Sequence, residues 1–123
     1  MKKRILVVDD EPTVLQMMEK IVGSAYDVQS VDSADEAMDA LKEADFDLIL
    51  LDVMMPGMRP VDLIHWVKKN KTENPPRVVL VTALSFAQEE KDRMKDEGLI
   101  EGFIAKPFES SELLNLIKQT IEE

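Results

Sequence analysis

The sequence predicts an α/β domain of the doubly wound type: one five-stranded parallel sheet with helices on both faces. Two observations carry that prediction. Ile5–Val8, Leu48–Leu51, Val78–Val81 and Phe103–Ala105 are apolar runs too short for helices and too apolar for strands with one wet face. Strands covered on both sides read this way. The runs also alternate with helical patterns about five times along the chain, the rhythm of a βα repeat. With 123 residues the chain makes one domain, residues 1–123, able to bury a core without staples.

The elements follow in order. The first strand is expected at residues 4–9, and Pro12 opens a helix over 12–23, because a proline lacks only an N–H that the first turn does not use. The second strand, 26–31, is the most polar, as an edge strand is. Ser33-Ala-Asp-Glu36 has the capping-box pattern and starts a helix over 34–44. A third strand, 47–51, leads through Met54-Met-Pro-Gly-Met-Arg59 to Pro60 and a helix over 60–70. Asn74-Pro-Pro76 precedes a fourth strand at 77–82. Ser85 caps a helix over 86–97, which Gly98 stops. A fifth strand at 101–105 breaks at Lys106-Pro107, and a last helix covers 110–121.

Polar residues stand at the tails of the apolar runs: Asp10 with Asp9 beside it, Asp52, Thr82 and Lys106. Open α/β sheets place ligands at the carboxyl ends of their strands, and a strand order of 2-1-3-4-5 makes the first and third strands neighbours. Carboxylates from those two strands would repel unless a cation lay between them. Hard oxygen ligands suit Mg²⁺. A lysine between Ala105 and Pro107 must aim its ammonium at something polar, and the carboxylates are the obvious counter-ions. A carboxylate nucleophile, a divalent cation, an ammonium and a hydroxyl are the parts that phosphoryl transfer needs. Each residue also has a plainer reading: Asp9 or Asp10 as a helix cap, Asp52 as a turn carboxylate, Thr82 as an ordinary strand residue.

Composition narrows the alternatives. There is no cysteine and a single histidine, His65, which removes disulfides, thiolate chemistry and zinc clusters. The net charge of −10 disfavours nucleic-acid binding by this domain. No signal peptide or membrane span is visible, so a cytoplasmic location is expected, with no membrane partner.

The segments "VVDDEP", "LLDVMMPGM", "VTALS" and "AKPF", in this order and spacing, resemble the receiver domain of two-component response regulators, chemotaxis regulators among them. The resemblance covers essentially the whole chain and implies a flavodoxin-like (βα)5 fold. It further implies that Asp52 accepts a phosphoryl group from a sensor histidine kinase or a phosphotransfer protein. Asp10, Asp52 and the Met54 backbone carbonyl would bind Mg²⁺ (or Mn²⁺) directly, and Asp9 through water. Lys106 and Thr82 would hold the phosphoryl oxygens. Phe103 would be the aromatic switch that turns inward as Thr82 moves, and the Lys106–Pro107 bond is cis in relatives. Such a domain is a switch with autocatalytic phosphorylation and autophosphatase activity rather than a turnover enzyme.

Some positions depart from the pattern of relatives. Phe103 replaces the commoner tyrosine, Gly57-Met-Arg-Pro60 stands where an Asp-Gly pair is frequent, and the glycine near the end of helix four falls at Gly98, with Leu99 in its usual place. Glu109-Ser-Ser-Glu112 follows "AKPF" where dimer-forming relatives often carry arginine, which favours a monomer or a weak phosphorylation-linked dimer. Met54 and Leu84 flank the expected phosphoryl pocket; both are apolar and would place hydrolytic water poorly, giving a long-lived aspartyl phosphate. On helix one, Leu15, Met18 and Val22 form one apolar stripe and Val14, Met17 and Ile21 a second. The second is either a wide core face or a docking patch for the phosphodonor, centred on Val14 and Met17. Glu89-Glu-Lys-Asp-Arg93 reads as a solvated face.

Two other function classes compete. An enzyme of the same fold would need a hydroxyl- and glycine-rich loop after strand one, for flavin, or a second aspartate at position 54, for an aspartyl-phosphate phosphatase; neither is present. A phosphorylation-independent docking module would not need the full acceptor set. Both a stand-alone receiver and the N-terminal piece of a larger regulator fit the chain's ends.

Overall fold

The computed structural model describes residues 3–53, 59–71, 73–83 and 88–122. Its elements are β1 (Arg4–Val8), α1 (Pro12–Gly23), β2 (Asp27–Val31), α2 (Ala34–Glu43), β3 (Leu48–Asp52), α3 (Pro60–Asn70), β4 (Arg77–Thr82), α4 (Gln88–Asp96), β5 (Gly102–Ala105) and α5 (Ser110–Ile121). The five strands form one sheet in the order β2-β1-β3-β4-β5. Every pairing is parallel. This is the expected doubly wound architecture.

Alternation along the strands sorts the core into two layers. Leu6, Val8, Ile49, Leu51, Val78 and Leu80 pack with Ala37 and Leu41 of α2 and Leu63, Ile64 and Val67 of α3. Ile5, Val7, Leu48, Leu50, Val79, Val81 and Ile104 pack with Met18 and Val22 of α1 and Leu113 and Ile117 of α5. A strand that buries both faces has no polar face to show, hence the unbroken apolar runs. Each large aliphatic side chain buried this way contributes about 1.5–3 kcal/mol.

The differences from expectation lie at element ends. β3 begins at Leu48 and closes on Asp52, one residue later than predicted at each end, so Asp52 belongs to the strand itself. β1 ends at Val8, although Asp9 still donates its N–H to the Val31 carbonyl at 3.2 Å and extends the ladder by one bond. β2 and β5 each begin one residue later than predicted, and α2 ends at Glu43.

Ser33 caps α2 as expected, its hydroxyl accepting the Glu36 N–H at 3.1 Å. The Glu36 carboxylate reaches back to the N–H of Asp32 rather than that of Ser33. A full capping box stands instead on α5, between Glu109 and Glu112. α4 ends in a Schellman turn: Leu99 N–H bonds the Met94 carbonyl, Gly98 N–H bonds that of Lys95, and Gly98 takes φ 74°. Only a residue without Cβ adopts that angle freely, and the turn places the glycine at position 98. The Ser85 cap, the start of the predicted helix 86–97 and the Gly57 loop fall outside the described residues.

Candidate functional site

Period-two alternation explains how the strand ends converge. Asp9, Asp52 and Lys106 each lie two residues beyond a side chain of the α1/α5 layer: Val7, Leu50 and Ile104. They therefore share a face at the carboxyl edge of the sheet. β1 and β3 are neighbours, and Lys106 is fixed by its N–H bond to the Thr82 carbonyl at 2.9 Å. Thr82 has the opposite parity, two residues beyond Leu80, and lies on the layer that holds Phe103. In the register of β4 and β5, Leu80 faces Phe103 and Thr82 faces Ala105.

The result is a compact acidic cluster. Asp9, Asp10 and Asp52 each offer a carboxylate oxygen, and these atoms all lie within 4.8 Å of one another. An octahedral Mg²⁺ with bonds of about 2.1 Å sets its ligand oxygens roughly 3–4.2 Å apart, so the donor set fits a hard divalent cation. Asp10 is exposed, whereas Asp9 and Asp52 are buried. Both oxygens of Asp9 are engaged: Oδ1 accepts the Glu11 N–H at 3.0 Å and Oδ2 accepts the Lys106 ammonium at 2.6 Å. Lys106 Nζ lies 3.7 Å from Asp52 Oδ2. The ammonium is thus shared between two carboxylates, with the tighter contact to Asp9. No buried side-chain nitrogen or oxygen among the described residues lacks a hydrogen-bond partner.

The plainer readings of the aspartates separate here. The N-cap of α1 is Glu11, without a side-chain cap bond, so neither Asp9 nor Asp10 occupies that position. Asp9 instead supports the turn leading into the helix. The Lys106–Pro107 peptide bond is cis.

The remaining predicted residues are distributed as follows. Thr82 is buried at the end of β4, and Phe103 is half-buried against the α2/α3 layer. Met54 and Leu84 lie outside the described residues. On α1 the second stripe divides: Val14 and Ile21 pack partly against the α1/α5 layer, while Met17 is 42% exposed. His65 is exposed and Trp66 packs partly against the α2/α3 layer. Glu89, Glu90, Asp92 and Arg93 are solvated, as read from the sequence, but Lys91 is not: it is half-buried, with its ammonium 5.7 Å from the centre of the Phe103 ring. No helix among the described residues is long and apolar enough to cross a membrane.

Comparison with known proteins agrees with this geometry. The family model described as "Response regulator receiver domain" matches residues 5–118. The uncharacterized transcriptional regulatory protein YkoG of Bacillus subtilis is 30% identical over 99% of the chain and 52% of its own length. The chain spans about half the length of the curated relatives it matches. Among solved structures, chemotaxis response regulator CheY4 of Vibrio cholerae superposes with a TM-score of 0.86 at 26% identity, over 98% of this chain and 99% of that one. TrrA of Thermotoga maritima, solved in complex with Mg(2+)-BeF, gives a TM-score of 0.77 at 25% identity, over 96% and 98% of the two chains. The match over nearly the whole chain, on a sheet of the expected order with an acidic edge, leads to one conclusion: the chain belongs to the response regulator receiver domain family of two-component systems.

Proposed function

We propose that Asp52 accepts a phosphoryl group from the phosphohistidine of a sensor kinase or a phosphotransfer protein, and that this modification switches a partner surface through Thr82 and Phe103. The observation that carries the reading is the shared ammonium: Lys106 lies within ion-pair distance of Asp9 and Asp52 together, at the strand-end edge where three carboxylates meet. A carboxylate oxygen of Asp52 attacks phosphorus in line; the phosphorus–nitrogen bond breaks, and the departing imidazole keeps its electron pair and takes a proton. Lys106 then follows the new charge from Asp9 toward a phosphoryl oxygen. The Thr82 hydroxyl donates to another.

Mg²⁺ or Mn²⁺, held by Asp10, Asp52 and the Met54 carbonyl, would neutralise charge gathering on the transferring group. Asp9, whose oxygens already accept from Lys106 and Glu11, fits a supporting position reached through water. The same residues would return the phosphoryl group to water slowly, with Met54 and Leu84 setting the rate. Met17, the exposed apolar residue of α1, suits a docking contact with the phosphodonor, Val14 supporting it from the half-buried side. The protein then acts as a phosphoacceptor switch rather than a turnover enzyme, in the cytoplasm, on residues 1–123 as one receiver unit.

Incubation with acetyl phosphate and Mg²⁺ should add one phosphoryl group by intact mass. The adduct should disappear in Asp52→Asn and on chelation. No adduct on the wild-type chain, or an adduct that survives Asp52→Asn, would sink the proposal.

A further inference from the structure

The helix α4 is built unlike the others. Of its residues Gln88–Asp96, all are exposed except Lys91 and Met94, which are half-buried. They stand three apart and so share one helical face. Met94 packs on the α2/α3 layer, as an inward-facing residue should. Lys91 occupies the other inward position of that stripe, where an amphipathic helix places an apolar side chain. It is half-buried there, and its ammonium lies 5.7 Å from the centre of the Phe103 ring. Among the described residues its Nζ enters no ion pair, although Glu89, Glu90 and Asp92 are close in sequence. Phe103 itself is half-buried on edge strand β5, opposite Leu80 and two residues along the register from the row of Thr82.

We infer that Lys91 is a positioning residue for Phe103: its cation–π contact holds the ring in the half-exposed place and opposes the inward turn. This rests on the proposed switching role of Phe103 and adds its restraint. A contact broken during switching weakens the apparent affinity for any ligand that requires the switched state, by the factor through which it depletes that state. For an exposed cation–π pair that factor is about two to five. Arginine keeps the charge, adds a planar group that stacks on aromatic faces, and should substitute well. Methionine keeps the stem and loses the charge.

The test follows the Phe103 ring by ¹³C NMR in the full chain, titrated with beryllofluoride, a stable phosphoryl mimic, at fixed Mg²⁺. Lys91→Met should lower the midpoint about two- to fivefold, and Lys91→Arg should restore the wild-type midpoint. In a Phe103→Leu background, followed through the amide signals around Asp52, Lys91→Met should leave the midpoint unchanged. An equal shift with and without the ring would mean that only distant charge is acting, and would overturn the inference. So would a wild-type chain that binds beryllofluoride with no displacement of the ring, or a Lys91→Met midpoint equal to wild type. If the wild-type chain fails to respond to beryllofluoride at all, the phosphoacceptor reading itself fails and the restraint falls with it.

Discussion

Replacing Asp52 by asparagine should stabilise the metal-free protein, and the sign follows from three distances. Asp52 contributes an oxygen within 4.8 Å of one from Asp9 and one from Asp10, and its Oδ2 lies 3.7 Å from Lys106 Nζ. With an effective dielectric near 20, each repulsion at 4.8 Å costs at least about 3.5 kcal/mol, and the attraction to Lys106 is worth about 4.5 kcal/mol. Neutralising Asp52 removes two repulsions and one attraction, a net gain of about 2.4 kcal/mol. Complete aqueous screening reduces it to about 0.6 kcal/mol. Asparagine keeps an acceptor oxygen and the side-chain shape, so hydrogen bonding changes little beside the charge. Urea unfolding in chelator at low ionic strength should show the midpoint of the Asp52→Asn variant raised by roughly 0.5–1 M. In saturating Mg²⁺ the order should narrow or invert, since a ligand at a hundred times its Kd stabilises the chain that binds it by about 2.7 kcal/mol. A chelated Asp52→Asn protein less stable than wild type would refute this balance of charges.

Three further outcomes are expected. Lys106→Met leaves the buried Asp9 carboxylate with the Glu11 N–H as its remaining partner among the described residues, and should cost about 3–5 kcal/mol in chelator, with partial recovery in Mg²⁺, by urea unfolding. Burial, and next the hydrogen bond and charge of Glu122, push the Tyr26 phenol up to about 12 from 10.0. The folded state therefore holds that proton where the unfolded chain releases it, so stability should fall between pH 10 and 12. Alkaline unfolding curves of Tyr26→Phe should lack this slope. Met17→Glu places a charge on an exposed position of α1 and should change stability by less than about 0.5 kcal/mol. It should slow transfer from the cognate kinase while leaving transfer from acetyl phosphate unchanged; equal slowing of both would assign Met17 to the fold instead.

The sheet was legible because strands covered on both faces cannot alternate, and the four apolar runs carry that mark plainly. The carboxylate cluster was legible as far as composition reaches: acidic residues at the ends of two adjacent strands must approach one another. The division of labour between Asp9 and Asp10 was legible only through the family resemblance, not from composition or spacing. It depends on the ladder continuing one bond past Val8, which turns Asp9 inward to Lys106 and leaves Asp10 at the surface. Lys91 was missed for a related reason. A Glu-Glu-Lys-Asp-Arg segment looks uniformly wet, and only the placement of Met94 and of an edge-strand aromatic reveals its inward face. The Glu109–Glu112 box escaped because glutamate is a weak N-cap by propensity, and this one succeeds through the reciprocal bond.

The central claim concerns one oxygen on one residue, and chemical trapping reads it directly. After incubation with acetyl phosphate and Mg²⁺, borohydride reduction converts an aspartyl phosphate to homoserine, which peptide mass spectrometry locates. The conversion should fall on Asp52, with Asp9 and Asp10 untouched, and should vanish when Mg²⁺ is chelated. Homoserine at Asp9 or Asp10, or at none of the three, would contradict the assignment of Asp52 as the acceptor.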